Sequence, residues 1–167
     1  MMMSLMSQPT PKISRIIGID PGTARVGWGI VDFDTETGSK QAIAYGCIET
    51  HKDTEPAQRL VEIKQGLDEL LAEFQPQNAA VEKLFFAKNQ TTAMKVSEAR
   101  GVILLSLAEN KVAYTEYTPK QVKMNLVGFG HADKKQIQFM VQQILELDEV
   151  PKPDDAADGL ALALCAE

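Results

Sequence analysis

Residues 16–34 read IIGIDPGTARVGWGIVDFD, and how this stretch divides decides the fold. Ile16, Ile17 and Ile19 are a run of β-branched residues that predicts a core strand. Asp20 ends the run. Pro21 and Gly22 then turn the chain, because proline fixes its own φ and glycine tolerates angles that other residues avoid. From residue 25 to 34 an extended pattern resumes. A carboxylate at the edge of a buried strand costs several kcal/mol unless its charge is compensated, so Asp20 is the residue that needs a partner.

The rest of the chain sets the frame. Its 167 residues, 44% hydrophobic and 6% aromatic, suit one domain with a sizeable core. No window approaches the ~20 apolar residues of a membrane-spanning helix. The opening MMMSLMSQPT lacks the basic flank and the roughly 7–15-residue apolar run of a signal peptide. Residues 1–12 are therefore expected to be a disordered extension and 13–167 the single folded domain. Cys47 and Cys165 have neither metal-like spacing nor the pattern of a disulfide framework, so a reducing cytoplasm is expected. The net charge of -6 argues against nucleic acid only until it is mapped. The balance is -5 over residues 1–82, +5 over 83–135 and -6 over 136–167. A basic middle in an acidic protein suits either a phosphate-facing surface or a solvated mixed one.

Periodicity gives the elements. Extended segments at 25–34 and 40–49 are joined by TETGSK, where Gly38 suits a turn. Leu60, Ile63, Leu67, Leu70, Leu71 and Phe74 recur at three- and four-residue spacing and predict a helix over 55–74. The run NAAVEKL (78–84) reads as a strand, 90–109 as a helix and KVAYTEY (111–117) as a fifth strand. Helical patterns follow at 119–126, 132–147 and from about 154. Three strands followed by alternating helices and strands predict an α/β fold: a central mixed five-stranded sheet with helices on both faces.

Three further acids fit that sheet. Glu82 stands among Ala79, Ala80, Val81 and Leu84, a charge in an apolar strand. If the fourth strand lies parallel beside the first, Asp20 and Glu82 emerge at the same C-terminal edge, where open α/β sheets bind ligands. In DDAADGLALAL (154–164), Asp155 and Asp158 are three apart and share one helix face. Each acid also has a plain structural explanation: Asp154 as a helix cap, Asp155 as a complement to the helix dipole, Asp20 as a turn former. Glu82 and Asp158 have neither a turn nor a cap to account for them. Four converging carboxylates repel unless cations join them, and an oxygen-only ligand set favours magnesium, with manganese as a substitute, over zinc. Two such ions support phosphodiester cleavage.

The segments IGIDPGTARVGWGIV, VEKLFFAKN, EARGV, KQVKMNLVGFGHADKKQ and DDAADGLALAL resemble, in order and at matching spacing, the motifs of the RuvC family of Holliday-junction resolvases. The similarity runs from about residue 14 to the C-terminus. It implies an RNase H-like fold and a magnesium-dependent endonuclease that resolves four-way DNA junctions in recombination and repair. Carried over position by position, the metal-binding carboxylates fall on Asp20, Glu82, Asp155 and Asp158. The register of DAAD favours Asp155, with Asp154 as the competing acid. The resemblance also implies that Phe85 stacks on unpaired junction bases, and that Lys123 and Lys134 assist catalysis at the scissile phosphate. Lys83 departs from the family, where an uncharged or acidic residue is commoner after the catalytic Glu, and with Lys88, Arg100 and Lys135 it is a candidate for DNA contact. Family partners would be a second copy of the chain and the RuvA–RuvB branch-migration complex.

Ala93, Val96, Val102, Leu104 and Leu105 make the second helix apolar enough for a homodimer interface, or equally for burial within the monomer. Trp28 stands where the family has smaller side chains, and packing over the outer strands is expected. Alternatives of other kinds are a YqgF-type RNase H-like nuclease acting on RNA and a catalytically silent junction-binding module. An actin-like phosphotransferase with a similar phosphate loop would need a second related domain.

Overall fold

Alternation along the first strand sorts its side chains into two cores, one on each face of a sheet. The computed structural model describes residues 12–84 and 90–166. The elements run β1 (Ile13–Asp20), β2 (Arg25–Asp34), β3 (Lys40–Glu49), α1 (Pro56–Phe74), β4 (Asn78–Glu82), α2 (Gln90–Glu109), β5 (Ala113–Tyr117), α3 (Pro119–Val127), α4 (Lys134–Ile144) and α5 (Asp154–Cys165). The five strands form one sheet in the order β3-β2-β1-β4-β5. β1 is antiparallel to β2, β2 is antiparallel to β3, and the pairs β1–β4 and β4–β5 are parallel. This is the mixed sheet with helices on both faces that the sequence predicts.

Ile17, Ile19, Val26, Ile30, Ala79 and Val81 pack beneath α1 and α2, with Ile63, Leu67, Ile103 and Leu107. Ile16, Val31, Phe33 and Ala80 face the other way, onto α3, α4 and α5. Trp28 lies on the α1 side, its ring 6.1 Å from that of Phe74 and beside Gly46 of β3, so the expected packing over the outer strands is found. Among the described residues no helix is long and apolar enough to cross a membrane.

Helix α5 is buried at Ala156, Ala157 and throughout Gly159–Cys165, and it lies closer to the sheet than side chains would allow. A Cβ built at Gly18 would stand 1.9 Å from the carbonyl oxygen of Gly159, and one at Gly27 1.9 Å from that of Asp155. These contacts are backbone against backbone, and only glycine permits them.

The ends of several elements differ from expectation: β4, expected through residue 84, stops at Glu82, α1 begins at Pro56 rather than at 55, and α3 runs one residue further, to Val127. The strand expected from residue 111 starts at Ala113 because Lys111 takes a left-handed turn at φ 58. The helix expected over 132–147 starts at Lys134, since Asp133 accepts from the Gln136 N–H and Gln136 reaches back to the Asp133 N–H in a capping box. That helix ends at Ile144, two residues before the left-handed Glu146. In α5 Asp154 is not the cap: Pro153 occupies that position, no side chain caps the helix, and Asp154 and Asp155 both lie in its first turn. A carboxylate there is still favoured by the helix dipole. The extension expected over residues 1–12 lies outside the described residues except for Lys12, whose carbonyl accepts from the Thr35 N–H.

Candidate active site

Asp20 is the last residue of β1 and Glu82 the last of β4. The parallel pairing of Ile19 with Val81 brings the two strand ends side by side. Asp20 shares a face with Gly18 and Glu82 with Ala80, so both carboxylates leave the sheet on the face covered by α5. Asp155 and Asp158 descend from the first turns of that helix. One oxygen from each of Asp20, Asp155 and Asp158 can be chosen so that all three lie within 4.8 Å of one another.

The electrostatics match this convergence. Burial pushes the Asp20 carboxyl up to about 9, helped by a hydrogen bond to Glu82 and by the charges of Glu82, Asp158 and Asp155. Burial also raises Asp158, an effect that Lys134 partly offsets. The Lys134 Nζ lies 3.2 Å from Asp158 and 3.5 Å from Asp154. Burial lowers the pKa of Lys134, but the charges of Asp158 and Asp154 outweigh this and hold it above the ordinary lysine value. On the opposite flank, Arg25 is 3.1 Å from its cross-strand partner Glu49 and 3.8 Å from Asp155. Asp154, 64% exposed on its side chain, turns toward Lys134 and is absent from the three-oxygen cluster.

The residues present fit a divalent cation. The donors are all carboxylate oxygens, which suits a hard ion such as magnesium or manganese. Their repulsion is what such an ion relieves, and it is this repulsion, with burial, that raises the Asp20 carboxyl. Beside the acids opens a cavity of about 220 Å³. Glu82, Asp158, Lys123 and Lys134 form its polar wall, and Val122, Ile137 and Leu162 part of its apolar one.

The other predicted residues are distributed unevenly. Lys123 and Lys134 meet the acids in that cavity. Lys83 and Lys135 are exposed, and the Lys83 N–H donates to the Tyr117 carbonyl at 2.8 Å. Arg100 is half-buried and paired with Glu116 of β5, so its guanidinium is already engaged within the fold. Phe85 and Lys88 lie outside the described residues. The sequence reading passed over Arg25. The hairpin register would have signalled it, because a strand opening at 25 and one closing at 49 set Arg25 opposite Glu49 beside the acids.

Comparison with known proteins shows the family. A family profile described as crossover junction endodeoxyribonuclease RuvC matches residues 16–166. A protein of that name from Natranaerobius thermophilus is 50% identical over 151 residues, covering 90% of this chain and 92% of its own. Among solved structures, Thermus thermophilus RuvC superposes with a TM-score of 0.83 at 35% identity, over 90% of this chain and 92% of that one. The same protein in complex with a Holliday junction substrate gives 0.82 at 32% identity, over 90% and 91%.

Proposed function

The chain belongs to the RuvC family of crossover junction endodeoxyribonucleases, and from that premise we propose how its own residues resolve a four-way DNA junction. The observation that carries the reading is the cluster of Asp20, Asp155 and Asp158 with Glu82 bonded to Asp20, in a setting that drives the Asp20 carboxyl up to about 9. Asp20, Glu82, Asp155 and Asp158 would hold two magnesium ions, which would supply an activated water and stabilise the leaving oxygen in phosphodiester hydrolysis. Asp155 serves in preference to Asp154 because it is the one that converges with Asp20. Lys134 orients Asp158 and, with Lys123 across the cavity, faces the charge that develops on the scissile phosphate. The basic middle of the chain, including Lys83 and Lys135, contacts the DNA backbone. Phe85, the residue that matches the family's stacking aromatic, inserts against unpaired bases. The products are 5′-phosphate and 3′-hydroxyl ends, made in the cytoplasm where the DNA is.

Symmetric nicking of two strands needs two active sites, and therefore a homodimer. Val61, Met94 and Leu105 are 43%, 66% and 50% exposed on α1 and α2, the helices that cover the sheet face opposite the acids. We assign the dimer contact to the outer surface of these helices, with RuvA–RuvB as further partners. Leu105→Glu is expected to shift the protein toward monomer in analytical ultracentrifugation and to uncouple the two nicks. A dimer of undiminished stability would place the interface elsewhere.

The reading is tested with a synthetic four-way junction. Paired, symmetric nicks are expected with magnesium and none with a chelator. A protein that binds the junction in magnesium without cutting it would overturn the catalytic assignment. Removing the cation at Asp158 in Lys134→Ala is expected to slow cleavage by about a hundredfold while weakening junction affinity far less, measured by single-turnover cleavage alongside gel shift. Equal losses in both would make Lys134 a binding residue only.

A further inference from the structure

Between Asp20 and β2 the chain makes a four-residue connection, Pro21, Gly22, Thr23 and Ala24, without regular secondary structure. It is tied down from outside the sheet. The Thr50 hydroxyl, in a residue only 9% exposed, donates to the Thr23 carbonyl at 2.6 Å. The Thr50 N–H donates to the Ala24 carbonyl at 3.0 Å. Arg59 of α1 closes the network: its Nε donates to the Thr50 hydroxyl at 2.8 Å and its Nη2 to the Thr23 carbonyl at 3.0 Å. One turn further along α1, Ile63 is buried in the core, so the guanidinium is carried on a rigid support. Its recorded bonds go to two neutral oxygens, although a carboxylate is the commoner partner for an arginine.

We propose that Arg59 and Thr50 are positioning residues for the metal centre: by clamping the connection at Thr23 they hold the Asp20 carboxylate where a divalent cation needs it. The proposal rests on the reading of Asp20 as a metal ligand. A cation drawn between four acids pulls on the strand end that carries each of them. β4 is held on both sides by parallel partners, and α5 is held by backbone packing on β1 and β2. Asp20 itself pairs with Gly27 at the end of β1, but the four-residue connection that follows lies beyond the ladder and is fixed by the clamp. A neutral carbonyl bonded by both a hydroxyl and a charged donor is strongly fixed. Ligand geometry that drifts by an ångström is enough to lose most of the rate.

The test uses Thr50→Val, which keeps the side-chain shape, Arg59→Met, Arg59→Lys and the double variant Thr50→Val/Arg59→Met, with Asp20→Asn as control. Manganese binding is followed by calorimetry, alongside single-turnover cleavage, metal-free junction binding and thermal melting. Thr50→Val and Arg59→Met are each expected to raise the half-saturating manganese concentration about tenfold and to slow cleavage by a similar factor, with metal-free junction affinity unchanged. The double variant should be no worse than the poorer single one, because both changes break one network. Arg59→Lys, whose ammonium can still reach the Thr23 carbonyl, should recover most of the loss.

Manganese affinity within about twofold of wild type in Thr50→Val and Arg59→Met overturns the proposal, including the case where melting temperature falls and metal binding does not. In that outcome Asp20→Asn separates the two levels. If the control has lost manganese, the clamp alone is wrong; if it binds like wild type, the assignment of Asp20 is wrong.

Discussion

Asp20→Asn is expected to abolish junction cleavage and, in the same molecule, to raise the thermal stability of the metal-free protein. The loss of activity should be at least about a thousandfold, because a metal ligand at the reacting centre is removed. The gain in stability follows from the pKa. An aspartate titrates near 3.8 in the unfolded chain, whereas burial, Glu82 and the two α5 acids push Asp20 up to about 9 in the folded one. Between those values the folded state holds the proton more tightly, so the Asp20 contribution to stability falls as pH rises through that window. Asparagine carries no charge and escapes the penalty, as buried charge removal often does by roughly 1–4 kcal/mol. The variant should therefore melt above wild type at pH 7.5 and close to it at pH 4, and adding magnesium should narrow or reverse the gap by stabilising wild type alone. A variant that cuts like wild type would remove Asp20 from the metal centre. One that melts below it at pH 7.5 would remove the electrostatic explanation.

Gly27→Ala is expected to cost both stability and activity through a single methyl group. The added Cβ would stand 1.9 Å from the Asp155 carbonyl oxygen and 2.5 Å from its carbonyl carbon. Neither atom can rotate away, so the first turn of α5 must lift off β2. Overpacking of this kind costs about 1–3 kcal/mol. The Asp155 carboxylate moves with the turn, so cleavage should fall about a hundredfold. Gly101→Ala supplies the contrast: a Cβ there meets nothing within 4 Å, and an exposed helical glycine gains about 0.4–1 kcal/mol from alanine. Melting curves for both variants, with cleavage for Gly27→Ala, check the pair. An active, stable Gly27→Ala would show that α5 can shift without disturbing the acids.

Much of this is legible in the sequence. The β-branched run at Ile16–Ile19 and the three- and four-residue spacing over Leu60–Phe74 depend on local sequence alone, and both elements appear where they are expected. Boundaries were less legible, because Lys111 and Glu146 end their segments by adopting left-handed angles that no hydrophobic pattern records. The cap of α5 was misread for a similar reason: aspartate is favoured as a cap, yet Pro153 takes the position and leaves Asp154 inside the helix. Arg59 and Thr50 were invisible, since a helical arginine and a loop threonine look ordinary until α1 is laid against the sheet.

By itself, then, the sequence determined which segments are strands and helices, and that Glu82 and Asp158 are charges with neither a turn nor a cap to account for them. Those are consequences of short-range periodicity and of the cost of burying charge. The tertiary structure decided which acids meet. The spacing in DDAAD puts Asp155 and Asp158 on one helix face but leaves the rotation of that face open. The rotation is fixed by glycine contacts of α5 with β1 and β2, made between residues more than a hundred positions apart. They turn Asp155 toward Asp20 and leave Asp154 to Lys134. Close packing between distant segments has no local signature, and it is what converts four scattered acids into one site.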